Sequence, residues 1–155
     1  TTLFTLSIHT FKYESVWCEV PGGDIYFTGG RNATDDYCKE VVRVSGSSFE
    51  VTKKSSMLIK RGNHGCAYDS DYLYVIGGFD WIPIRKCERL SVREDRWKAL
   101  PPLPRLCHAV SVAVVKQTHC LYALGGRANG PLLNTIQRLS LGRLEWNLMP
   151  LTLPF

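Results

Sequence analysis

No stretch of apolar residues comes near the ~20 needed to cross a bilayer, so no membrane-spanning helix is expected. Helical periodicity is absent throughout. The six cysteines, at 18, 38, 66, 87, 107 and 120, form no CxxC pair and no close Cys/His cluster, so no zinc site and no metal ligand set is expected. Nucleophile elbows, phosphate loops and clustered carboxylates are likewise missing, and no cofactor is expected. The formal net charge is +5, but the excess is spread along the chain and densest only at Lys53–Lys54 and Lys60–Arg61. A nucleic-acid surface wants clustered cations with interleaved aromatics, so none is expected. The N-terminus, Thr1-Thr2-Leu3-Phe4, lacks the charged start and small-residue cleavage site of a signal peptide and also an initiator Met, which suggests a piece of something longer. The sequon Asn32-Ala33-Thr34 is read as a chance occurrence, and the cysteines as reduced core thiols of a cytoplasmic protein.

What is present is a repeat. With 45% apolar residues the chain can build a core, and three segments end in a glycine pair: Ile25–Gly30, Leu73–Gly78 and Leu121–Gly126. The second glycine recurs at 30, 78 and 126, every 48 residues, with Tyr26, Tyr74 and Tyr122 four residues before it. Downstream come Phe49, Trp97 and Trp146, each nine residues after Glu40, Glu88 or Gln137. Val42/Val44, Leu90/Val92 and Leu139/Leu141 alternate with polar residues, the period of a half-buried strand. Each unit reads as four strands: one beginning near His64 or His108, one running into the glycine pair, one alternating, and one started by the aromatic. Prolines such as Pro101, Pro102 and Pro104 then carry the chain onward. The fold class is all-β, with four antiparallel strands per period, which is the plan of a propeller blade.

These residues resemble the kelch repeat: the glycine pair, the preceding Tyr, the Glu or Gln and the Trp, in three copies in register. The resemblance implies a kelch-type β-propeller with approximate blades 9–57, 58–104 and 105–150. Propellers usually close with about 4–8 blades, so three imply part of a longer ring, six-bladed by resemblance. Thr1–Ile8 reads as the remnant of a preceding strand, and Leu151–Phe155 as the lead-in to a following blade. The first copy departs furthest, with Phe49 in place of Trp and no Arg-x-x-His lead-in like Arg61–His64 and Arg105–His108. The third has four extra residues between His and glycine pair, assigned to a longer hairpin around Lys116–Thr118.

Residues common to every copy are explained by packing, so Tyr26, Tyr74, Tyr122, Trp97 and Trp146 are read as core. His64 and His108 are read as packed strand residues, and Glu40, Glu88 and Gln137 as structural hydrogen-bonders. Function is expected in the loops that differ. By resemblance, the loops after each glycine pair and those leading into each blade gather on one face. That would bring Arg31, Arg61, Arg105 and Arg127 together, with Asn63, Phe79, Trp81 and Asn129 nearby. Arginine offers a planar fork suited to carboxylates, and Trp rigid contact area. The functional reading is a pocket for an acidic or mixed acidic/aromatic peptide; the alternative is that these arginines are solvated or paired with Asp and Glu. An interaction module is therefore favoured, either the substrate-recognition part of a cullin-type ubiquitin ligase adaptor whose BTB domain lies outside this chain, or a cytoskeletal scaffold. An enzyme such as a kelch-type copper oxidase is the competing class. It would need Tyr and His on one site, and His9 and His119, which stand outside the repeat, have no spacing that provides this.

Overall fold

A computed structural model describes residues 12–154; Thr1–Ile8 and His9 lie outside them. The described chain forms three four-stranded antiparallel sheets, each built from four consecutive strands. The first holds β1 (Val16–Glu19), β2 (Ile25–Thr28), β3 (Val41–Val44) and β4 (Val51–Lys54). The second holds β5 (Gly65–Asp69), β6 (Tyr72–Ile76), β7 (Cys87–Ser91) and β8 (Arg96–Leu100). The third holds β9 (Ser111–Val115), β10 (Cys120–Leu124), β11 (Thr135–Ser140) and β12 (Glu145–Thr152). Each sheet has the plan of a propeller blade, as the resemblance to kelch repeats implies. The leading strands β1, β5 and β9 lie side by side, so neighbouring blades meet along them as well as face to face.

Period-two alternation explains where the cores sit. On β6, Leu73 and Val75 turn toward the first blade and join Val20, Tyr26, Val41 and Met57. Tyr74 and Ile76, on the opposite face, turn toward the third blade and join Leu121, Ala123 and Leu139. A middle blade is thus buried on both faces, which is why Leu73–Ile76 reads as an unbroken apolar run. Each fully buried Leu or Ile contributes roughly 1.5–3 kcal/mol. No blade owns its core; the seams do.

The glycine pairs make those seams possible. Gly29 and Gly77 sit at φ +60° and +62°, and a Cβ on them would stand 2.2 Å from the Arg61 carbonyl oxygen and 2.4 Å from that of Cys107. Only glycine lets the chain leading into the next blade pass so close. Gly30 and Gly78 then donate to those same two carbonyls, at 2.8 and 2.9 Å. A second backbone chain runs between blades. Asn63 N–H donates to the Glu14 carbonyl (3.0 Å), and Ala109 N–H to the Asn63 carbonyl (2.7 Å). All three residues are left-handed, at φ 60°, 48° and 50°.

These contacts correct the register read from residue identity. Gly62 bridges Phe79 as His108 bridges Arg127, so Arg61 corresponds to Cys107 rather than Arg105, and His64 to Val110. The first hairpin turns through two residues in the second blade and four in the third, residues 116–119. The hairpin therefore accounts for two of the four extra residues, and the register shift for the other two. In the first blade, Val51 pairs with Val44 as Trp97 pairs with Leu90 and Trp146 with Leu139. Val51, not Phe49, holds the Trp position, and Phe49 is an exposed turn residue at φ 58°. Correspondingly, Val42 rather than Glu40 holds the place of Glu88. Leu151 and Thr152 extend β12 past the expected blade end. Only at Leu153, whose N–H donates to the Asn134 carbonyl as Met57 and Leu103 donate to Lys39 and Arg85, does the crossing begin.

Candidate partner-binding face

Antiparallel pairing places the loops after each glycine pair and those linking successive blades at one end of every sheet. Val16, Thr28, Val41 and Lys54 are aligned across the first sheet at that end. The loops leave as rigid extensions of the blades. Arg31 is bridged on both sides by Tyr13 and Tyr37, Phe79 by Gly62 and Pro83, and Arg127 by His108 and Leu132. The predicted positions 31, 79 and 127 are structurally equivalent, as their 48-residue spacing implies.

Side chains from all three blades meet above this frame. Tyr37 of the first blade stands edge-on to Phe79 (5.9 Å) and Trp81 (5.6 Å) of the second. Phe79 in turn lies 4.9 Å from His108 of the third. Arg31 lies over both Trp81 and Tyr37, 5.1 and 5.4 Å from the ring centres. It also pairs with Asp35 and approaches Glu14 at 3.9 Å. Arg31 is therefore held by two carboxylates and two rings rather than offered free, the paired alternative of the two readings. Tyr37 donates its hydroxyl to Glu14 Oε2 at 2.7 Å, and burial together with that carboxylate pushes its pKa up. On this base Trp81 and Ile82 project with 56% and 69% of their surface exposed, and Tyr13 with 73%.

Arg61 is the larger correction. It is completely buried, with its guanidinium 2.8 Å from Glu88 Oε1, itself 1% exposed. Its Nη1 donates to the Gly77 and Lys86 carbonyls at 2.5 and 2.7 Å. Glu88 Oε2 accepts from Leu58 N–H at 2.6 Å. Desolvation lowers the Arg61 pKa, and the Glu88 charge opposes it. The arginine fastens the second blade's lead-in to its third strand and presents nothing to a partner. At the same place in the third blade, Cys107 meets Gln137, whose amide donates to the thiol (3.7 Å) and to the Arg105 carbonyl (3.1 Å). A charged pair is replaced by a neutral one. In the first blade Lys12 stands where Arg61 does, and pairs with Glu40. His64 is packed as expected, 2.7 Å from Thr28 Oγ1. Burial and the Arg61 charge hold its pKa down to about 3.

The remaining predicted residues divide. Asn63 is half-buried, and its backbone carries the blade-to-blade chain. Arg127 is exposed. Arg105 is exposed beyond a backbone fixed by Gln137, whose Oε1 accepts its N–H at 2.7 Å. Arg105 and Asn129 line a groove of about 440 Å³ between the second and third blades, together with Arg85, Pro104 and Leu133. Arg85 is steadied there by donating Nε to the Leu103 carbonyl at 2.7 Å. Two cations face this groove and no carboxylate lines it. Sequence reasoning missed Tyr37, Ile82 and Arg85. Ile82 had a readable signal, a second large apolar residue beside Trp81 in a loop; Tyr37 and Arg85 acquire their places only across blade seams.

Residues 60–104 match the Kelch motif. The blades on either side keep the same four-stranded plan, so the chain resembles a run of kelch repeats. Kelch-like protein 25 of Xenopus tropicalis is 29% identical over 68% of this chain and 19% of its own length. The kelch repeat and BTB domain-containing protein 2 of cowpox virus is 25% identical over 79% of this chain and 21% of its own. A RING finger domain and kelch repeat-containing protein of Dictyostelium discoideum is 26% identical over 81% of this chain and 12% of its own. The chain thus spans between 12% and 21% of the length of these relatives. Among its described residues no helix is long and apolar enough to cross a membrane.

Proposed function

We propose that these kelch repeats are a protein–protein interaction module whose working face is the loop end, part of a longer propeller. The observation that carries this is the exposed Trp81–Ile82 tip, held from beneath by Tyr37, Phe79 and Arg31. Exposed apolar side chains on a rigid base lose little entropy on docking, and Trp is a favoured anchor. The Arg85–Arg105 groove and exposed Arg127 at the same end supply unpaired positive charge. Together they suit a segment combining an apolar or aromatic side chain with a carboxylate. The ligase-adaptor role is supported by relatives whose names join kelch repeats to BTB or RING domains; in it this face selects substrate while another domain contacts the ligase.

The test is an affinity pull-down from the protein's own cell extract with three variants of matched thermal stability. Trp81→Ala/Ile82→Ser and Arg105→Glu/Arg127→Glu alter the loop end. Lys116→Glu alters the opposite end and serves as control. Partners lost with the first two and retained with the third support the reading, and a cullin among the retained proteins identifies an adaptor. Partners lost only with Lys116→Glu move the working face to the other end.

A further inference from the structure

Arg31, Arg43, Arg61 and Arg96 each pair with a carboxylate. Arg85 and Arg105 do not. Among the described residues the Arg105 side chain has no hydrogen-bond or ion-pair partner. Arg85 gives only its Nε, to the Leu103 carbonyl at 2.7 Å, and keeps both terminal nitrogens for something else. The two arginines line one groove of about 440 Å³ whose remaining lining is apolar except for Asn129. Gln137 holds the Arg105 backbone and brings no charge to it. Two guanidiniums thus share a concave site without a counter-charge, each raising the electrostatic cost of the other. A carboxylate offers one negative charge and two oxygens. A phosphorylated side chain offers roughly 1.5–2 negative charges and three acceptor oxygens, enough for two planar forks. The groove also adjoins an apolar anchor in sequence. The loop ending at Arg85 carries exposed Trp81 and Ile82, and Ile84 N–H closes it on the Gly78 carbonyl at 2.8 Å. A free phosphate cannot use that anchor, whereas a peptide segment can.

Resting on the reading of the loop end as the interaction face, we propose that the Arg85–Arg105 groove receives a phosphorylated side chain of the partner. Phosphorylation of the partner then switches docking on: the apolar residue of its segment seats against Trp81 and Ile82, and the phosphate supplies the charge that both arginines lack. The unphosphorylated segment keeps the apolar contact but leaves two cations uncompensated.

The test immobilises the whole chain and offers it matched peptide libraries with phosphoserine, phosphotyrosine, glutamate or serine at a fixed centre and degenerate flanks. Retained peptides are counted by mass spectrometry. A phosphorylated library should be retained at least about tenfold above both the serine and the glutamate libraries, with apolar or aromatic residues enriched in its flanks. Arg105→Gln should abolish that preference without shifting the thermal midpoint, because the side chain holds nothing else in place. Trp81→Ala/Ile82→Ser should lower retention of every library and leave the preference for phosphate intact. Equal retention of glutamate and phosphorylated peptides would overturn the phosphate assignment while the interaction face stands. A preference that survives Arg105→Gln would overturn it too. So would displacement by free O-phosphoserine as effective as by a selected phosphopeptide, which would make the groove a site for small phosphomonoesters. Retention of no phosphorylated library above serine would also overturn it. Extract partners still lost with the loop-end variants would in that case keep the interaction face, and partners indifferent to those variants would remove both readings.

Discussion

Replacing Glu88 by Gln changes one oxygen for an amide nitrogen, yet it removes the negative charge paired with Arg61 Nη2, in a place where both residues are 0–1% exposed. Breaking a buried ion pair from one side typically costs 3–5 kcal/mol, because the surviving charge is left uncompensated. The near-isosteric amide keeps an oxygen for Leu58 N–H, so a loss of about 3 kcal/mol is expected here. For a chain of this length that lowers the thermal midpoint by roughly 6–12 °C. Arg61→Cys should cost at least as much, since it strands Glu88 and vacates the guanidinium's volume. The double variant Arg61→Cys/Glu88→Gln reproduces the neutral Cys107–Gln137 pair of the third blade. It should recover on the order of 2–3 kcal/mol relative to the sum of the singles. Urea unfolding of all four proteins gives the coupling directly. Strict additivity would refute the idea that charge compensation, rather than shape, decides this position.

Three further outcomes follow from the same geometry. Gly77→Ala should destabilise by at least about 2 kcal/mol more than Gly22→Ala in urea unfolding. A Cβ at Gly77 meets the Cys107 carbonyl at 2.4 Å, whereas at Gly22, also at positive φ, it meets nothing within 4 Å. Acid should weaken the fold through His64: its folded pKa of about 3 lies below the unfolded value near 6.5, so the unfolded chain binds the extra proton. That stability is complete above pH 6.5 and is lost as pH falls toward 3, at up to about 1.4 kcal/mol per pH unit. A His64→Gln variant should show a shallower slope between pH 6 and 4, and an unchanged slope would exclude His64 as the source. Trp97→Phe should cost about 1–2 kcal/mol, since the indole N–H donates to the Ser55 carbonyl at 2.8 Å and ties the second blade to the end of the first. The same substitution at the more exposed Trp146, bonded to the Pro101 carbonyl at 2.9 Å, should cost less.

The fold was legible because its signals are backbone requirements repeated in register. A glycine pair that must admit a neighbouring chain cannot drift, and strands buried on both faces must be continuously apolar. The spacing of 30, 78 and 126 therefore carried over into three blades unchanged. Residue identity away from those constraints misled. Arg61 and Arg105 share a local pattern with a His three residues on, but the turn lengths between them differ, and the backbone bridges put Cys107 where Arg61 stands. Phe49 matched Trp97 by count alone, because the loop after the first glycine pair is two residues longer than in the second blade; Val51 holds the strand position.

The candidate face was legible by loop and not by residue, for the same reason. Topology alone puts the loops after the glycine pairs and those between blades at one end of each sheet. Whether a given arginine there is free depends on what the adjacent blade brings. Arg61 is taken by Glu88 within its own blade, and Arg31 by Glu14, Asp35 and a ring from the next blade, Trp81. Arg105 keeps its charge exposed because Gln137, a neutral residue where Glu88 stands in the blade before, engages only its backbone. A carboxylate at position 137 would have brought a negative charge beside Arg105. The Glu-to-Gln difference that looked like mere divergence between repeats thus keeps one cation of the groove uncompensated. Gln137→Glu should consequently weaken any acidic partner of the loop end, and Cys107→Arg added to it should restore binding by taking up the new charge.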